Sequence, residues 1–225
     1  MSHSTGRDSG FTLLEFTAFM VFVGFVLIAT LKAVDMIDLA KAMRGGRSFQ
    51  EVQQAVMVYQ DQYDHLPGDD PEAPERFGRP ASILVSNDIV IWDVTRNQTI
   101  DGYLMDPAMP NDEQYSAWRD LRFANLWPGD PRLEGPKALP ENVFGGFIGF
   151  DVGNLGLPGA LCMTHVPGKA ARSIDESVDD GKMPTGDVRA TSRYNRVTAA
   201  NHFDQPDPGD YIDDRDYILC TKVLP

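Results

Sequence analysis

Twenty-one consecutive residues, Phe11 to Leu31, read FTLLEFTAFMVFVGFVLIATL and carry one charge, Glu15. As an α-helix this run spans about 31 Å, close to the roughly 30 Å hydrocarbon core of a bilayer. Beyond Leu31 the pattern becomes amphipathic. Val34, Ile37 and Met43 form a weak stripe. Phe49, Val52, Val56, Tyr59 and Tyr63 form a clear one, at spacings of 3, 4, 3 and 4. Glu51, Gln53, Gln54, Gln60 and Asp61 lie on the polar face. No proline interrupts Phe11 to Tyr63, and Pro67-Gly68 is the stop signal. The pattern predicts a helix of about 80 Å from Phe11 to Asp64, half in lipid and half laid on a globular domain. Gly45-Gly46 costs about 2 kcal/mol of helix propensity relative to alanine and predicts a bend or short melted stretch.

Later elements are shorter. Ser82 to Val94 suits helix or strand. Asn111 or Asp112 is a candidate N-cap for a helix to Leu126 that buries Tyr115, Trp118, Leu121 or the Arg122 stem, and Leu126. Val143 to Asp151 reads as a strand whose glycines allow close backbone approach. Ala160 to Val166 and Tyr217 to Val223 read as strands, and Gly168 to Asp179 as a short helix stopped by Gly181. Helix first and sheet later implies α+β, with an antiparallel sheet over the long helix.

Composition sharpens this division. The chain has 225 residues, 20 Lys+Arg against 33 Asp+Glu, and a net charge of −13. Residues 1–66 hold 5 basic and 7 acidic side chains, and 67–225 hold 15 and 26, so −11 of the charge belongs to the C-terminal part. Such a domain repels nucleic-acid backbone, and no direct nucleic-acid binding is expected. Arg189, Arg193 and Arg196 form a local basic group with helical spacing, although Thr191 and Tyr194 suit a strand equally.

Glu15 is the anomaly. A carboxylate at the centre of a span costs about 2.5–3.5 kcal/mol, less near an end, and calls for a partner charge at the same depth. A chain cut between Gly10 and Phe11 would supply a free amine there. The segment Ser9-Gly10-Phe11-Thr12-Leu13-Leu14-Glu15, directly before the apolar run, resembles the type IV prepilin and pseudopilin signature. The resemblance implies a cytoplasmic leader, 1–10, removed by a prepilin peptidase that then methylates Phe11. It implies that Glu15 pairs with the terminal amine of a neighbouring subunit. Residues 11–31 would anchor the chain in the bacterial inner membrane and later form the filament core, 32–66 would continue the helix, and 67–225 would be a periplasmic, then filament-borne domain. Implied partners are other pilin or pseudopilin subunits, the peptidase and the inner-membrane assembly platform. Two features depart from the family pattern: Arg7 in the leader is offset by Asp8, and Lys32 stands where many pilins carry a kinking proline. A secretory signal would have a shorter apolar run and a small-residue cleavage site.

Tyr59 to Asp70, YQDQYDHLPGDD, resembles a Y-Q-D-x-Y-x-x-L-P-G-D-D segment of a subset of these proteins, as do Leu39-Ala40-Lys41 and the stretch from Asp112 to Leu126. Physically the segment is a helix stop, a turn and an acidic loop, in which Asp69 and Asp70 read as structural. Cys162 and Cys220 lie in predicted strands; they are either two buried thiols or a disulfide, which an oxidising compartment favours. Many type IV pilins close their C-terminal region with such a bridge, and the resemblance implies one here. Ile174 to Val188 resembles an I-D-x-x-x-D-D-G-x-x-x-T-G motif of the same subset. Asp175, Asp179, Asp180 and Asp187 there are calcium candidates, since some pseudopilins bind calcium in a C-terminal loop, but the order is not that of an EF-hand, and capping and turn formation is the preferred reading. Asp207, Asp210, Asp213, Asp214 and Asp216 form a second acidic loop. No other cofactor is expected. His3, His65, His165 and His202 stand apart, no zinc spacing or catalytic motif occurs, and no catalytic residue is assigned. The expected role is that of a minor pilin or type II secretion pseudopilin, structural and not enzymatic; the alternative is a membrane-anchored periplasmic enzyme or ligand-binding module.

Overall fold

The structure is a computed structural model describing residues 12–78, 85–86, 89–90, 98–102, 104, 113–193 and 205–224. The chain forms two compact units, Met1–Ala40 and Lys41–Pro225. Helix α1, Leu13–Tyr63, has 51 residues and contributes to both. Asp64, at φ 57°, ends it in the left-handed conformation, three residues before Pro67. Within the larger unit follow α2 (Ala73–Arg76), β1 (Val85–Ser86), β2 (Ile89–Val90), α3 (Glu113–Phe123), β3 (Ile148–Asp151), β4 (Ala160–Pro167), α4 (Gly168–Val178), β5 (Val188–Thr191) and β6 (Asp216–Lys222).

The main sheet is antiparallel, in the order β3-β4-β6-β5. Strand period 2 sends alternate side chains to opposite faces. Leu161, Met163, Tyr217 and Leu219 join the main core with Phe49, Val52, Val56 and Tyr59 of α1, Trp118 and Leu121 of α3, and Ile174 of α4. Ala160, Cys162, Ile218 and Cys220 pack on the other face with Leu104, Leu155 and Leu157. This is the expected α+β architecture, and the clear stripe on α1 is its buried face.

Three expectations change. Gly45-Gly46 does not melt the helix, which runs through it, and the contact there leaves little room for a side chain at Gly45. Both glycines are buried, and a Cβ on Gly45 would lie 3.0 Å from Ile174 Cδ1 and from Phe144. Close approach of α4 to α1 offsets the propensity cost. The weak stripe does not pack: Val34, Ile37 and Met43 are exposed, and Ala42 is the first helix residue in the core. The strand expected over 143–151 is confined to β3, because Asn142 folds 142–147 into a turn by accepting the Phe144 and Gly146 N–H groups. Within β3 the close approach holds, as a Cβ on Gly149 would lie 2.4 Å from Leu104 Cδ1. The described parts of 82–94 are strand, while Asn111 and Asp112 lie outside the described residues. Tyr115, Trp118, Leu121 and Arg122 are buried on α3 as expected, with Leu126 partly so.

Candidate functional site

The first part of α1 is apolar on every side, and no described residue covers it. Leu14 is 79% exposed, Phe25 69% and Ile28 61%, and the most apolar window has a mean hydropathy of 2.2 with none of it buried. A helix hydrophobic all round belongs in a core or a membrane; this one has no core around it, so it points to a membrane anchor. At its start Thr12 and Glu15 form a capping box. The Thr12 N–H and hydroxyl donate to Glu15 Oε2 at 2.9 and 3.0 Å, and the Glu15 N–H donates to Thr12 Oγ1 at 3.3 Å. Sequence reasoning missed this second use of Glu15, although Thr-x-x-Glu before an apolar run is its signature. Gly10 and Phe11 lie outside the described residues.

Leu66 to Asp70 fastens α1 to α3. Tyr59 donates its hydroxyl to Asp70 Oδ2 at 2.7 Å, Arg76 pairs with the same oxygen, and the Glu72 N–H donates to Oδ1 at 2.9 Å. Burial, then the charges of Asp120 and Asp70, push the Tyr59 hydroxyl far above its ordinary pKa, so it stays a donor. Asp69, also buried, accepts the Gln98 N–H at 2.8 Å. The Gly68 N–H donates to Asp120 Oδ2 at 2.8 Å. At φ +90°, with the Glu113 carbonyl oxygen 2.5 Å from where a Cβ would stand, Gly68 has no substitute. The structural reading of both aspartates holds; Arg76 as the partner of Asp70, and Asp120 as the acceptor for Gly68, were not foreseen.

The acidic loop after α4 gathers three of its four expected carboxylates: oxygens of Asp175, Asp179 and Asp180 lie within 4.8 Å of one another. Asp187 points elsewhere, to Lys222 Nζ at 2.5 Å. The oxygens are engaged inside the fold. Asp175 accepts the Gly181 N–H and the Tyr211 hydroxyl, at 3.1 and 2.7 Å. Asp179 Oδ2 accepts the N–H groups of Asp187 and Val188. Asp180 accepts the Lys182 N–H and the Thr185 hydroxyl. Five of these six oxygens accept hydrogen bonds within the fold, and calcium would take 6–8 oxygen ligands. These bonds are those of capping and turn formation, and they extend to Gly186, where a Cβ would fall 1.8 Å from Asp179 Oδ2.

Burial, reinforced by the charges of Asp179 and Asp180 and opposed by Tyr211 and Gly181, raises the Asp175 carboxyl to about 6. Its folded pKa thus exceeds its unfolded value, so the folded state holds the proton longer. The contribution of Asp175 to stability is present at low pH and is lost as pH rises from about 4 to about 6. The stability of wild type minus that of Asp175→Asn is expected to fall across that window and to level off above about pH 7. A difference that rises with pH would contradict this.

The second acidic loop is also partly committed: Asp207 accepts from Ser192 and Thr191, and Asp213 pairs with Arg172 at 2.8 Å. Arg189 lies on strand β5, which removes the helical alternative for 188–191. It donates to the Leu155 and Gly186 carbonyls, and Arg193 meets Asp207 at 3.4 Å. Arg196 is outside the described residues. An open groove of about 410 Å³ is floored by Ala55, Val58, Leu126 and Trp127, with Glu51 as its one titratable group. Cys162 and Cys220 form a buried disulfide between directly paired residues of β4 and β6, with Cα atoms 4.0 Å apart.

No family model, curated protein or solved structure matches the chain. The class rests on architecture: a long N-terminal helix, apolar and unburied in its first part, packs its later part on an antiparallel sheet closed by a disulfide. That is a pilin-like architecture. The apolar helix points to a membrane anchor, and the disulfide to an extracytoplasmic domain.

Proposed function

We propose that the chain is a type IV pilin-like subunit, a minor pilin or a type II secretion pseudopilin, that is processed between Gly10 and Phe11, held in the inner membrane and assembled into a helical filament. It works as a structural subunit and not as an enzyme. The observation that carries this reading is the apolar first part of α1, up to Leu31, which no described residue covers and whose one charge, Glu15, sits in its first turn, four residues after Phe11 in the sequence. Before assembly Glu15 lies near the end of the span, where its cost is smallest. In the filament the α-amine of Phe11 on a neighbouring subunit supplies the opposite charge, and Glu15 Oε1 is left for it while Oε2 holds Thr12. The capping box presents the carboxylate in a fixed rotamer.

Capping and pairing separate experimentally. Glu15→Gln keeps an acceptor for Thr12 and removes the charge; Glu15→Ala removes both. Both variants are expected to reach the membrane at wild-type levels and to enter filaments at least about tenfold less, the effect of losing only ~1.4 kcal/mol. Assembly of Glu15→Gln at the wild-type level would refute the pairing role.

A further inference from the structure

Lys41, Arg44 and Arg47 are exposed on α1 within the larger unit, and none makes an ion pair among the described residues. These seven positions, 41–47, net +3 in a chain of −13. Asp38 and Glu51 flank the group one turn away on either side, and neither closes on it. Met43, 54% exposed, stands among the three charges. The collar is therefore a cationic surface with an apolar centre that no described residue of its own domain pairs with.

Two occupants have the required negative charge: anionic lipid headgroups and an acidic protein surface. Ten residues of helix separate Leu31 from Lys41, about 15 Å of rise, while the headgroup layer is only about 5–8 Å deep. Asp35 and Asp38, which an anionic surface repels, lie between them. The larger unit of this same chain carries the charge that fits. Its 205–216 loop exposes Asp210, Asp214 and Asp216, none of them in an ion pair among the described residues, set around Ile212, 49% exposed. Arg215 is the single cation exposed among them, since Arg172 and Arg193 are spent on Asp213 and Asp207.

We propose that the Lys41/Arg44/Arg47 collar of one copy docks on the Asp210/Asp214/Asp216 loop of the next, with Met43 against Ile212. The proposal rests on the filament-subunit reading and names a surface that reading leaves open. Both patches lie on every copy, so the contact is heterologous, and a heterologous contact that does not close on itself propagates as a helix. Exposed charges of opposite sign set register and encounter rate more than affinity, so the contact weakens as salt rises.

The test uses the full-length chain in membranes with Arg44→Cys and Asp214→Cys together. The native cysteines are buried in their own bridge and do not compete. Oxidation is expected to give dimers and a ladder of higher species, which Arg44→Cys with Glu141→Cys does not give. Adding Lys41→Glu and Arg47→Glu is expected to reduce the ladder at least tenfold, and adding Asp210→Lys and Asp216→Lys to that variant is expected to restore it. Absence of the ladder, a bridge confined to one chain, or a ladder indifferent to charge overturns the proposal. A collar reversal that the loop reversal does not rescue assigns the collar to anionic headgroups and overturns it too. The N-terminus is read on the same sample. Processed chain without a ladder rejects the docking alone; unprocessed chain without a ladder rejects the docking and the filament reading together.

Discussion

Replacing Cys162 and Cys220 together by alanine is expected to lower the stability of the extracytoplasmic domain by about 4 kcal/mol, the chain-entropy value for a loop of this separation. For a domain of this size that corresponds to a fall in midpoint of roughly 8–16 °C. The bridge ties the two central strands of the sheet on the face away from α1, where it packs against Leu104, Leu155 and Leu157. Reduction of the wild type should reproduce the loss, read by thermal unfolding with and without dithiothreitol. A shift under about 2 °C in both would show that the pairing of β4 with β6 needs no covalent support.

Removing the Asp70 carboxylate comes next in size. Asp70→Ala leaves the buried Tyr59 hydroxyl without its acceptor and Arg76 with only the exposed Glu72 carboxylate, at 3.0 Å, to pair with. An unsatisfied buried donor costs about 1–3 kcal/mol. Arg76 is about a quarter exposed, at 24%, and recovers part of its loss from water. A total near 3 kcal/mol is expected. Asp70→Asn, which keeps an oxygen for Tyr59, should lose about half as much. Equal losses in the two variants would mean that the charge on Asp70, and not the hydrogen bond to Tyr59, holds the turn to α1.

The helix, its buried stripe from Phe49 to Tyr59 and the strands around both cysteines were legible because each follows a period. Periodicity says nothing of what a residue leaves out. Gly45 and Gly46 read as helix-breaking from propensity, and only the position of Ile174 and Phe144 shows that the absence of a side chain at Gly45 is what that contact requires. The aspartates were legible as turn formers, but their partners were not. Tyr211 lies 36 residues from Asp175, and Asp120 lies 52 from Gly68. Pairings over such separations are set by tertiary packing. The Thr12–Glu15 cap, by contrast, is local and was present in the sequence as a spacing.

The central claim, that this architecture serves as a processed filament subunit, turns on one bond. The mature N-terminus of the membrane-bound protein, read by mass spectrometry, is predicted to begin at Phe11 with a methylated α-amine. A chain that still begins at Met1, or one cut after residue 29 at the end of the apolar run, would contradict the account and leave a membrane-anchored domain of another kind.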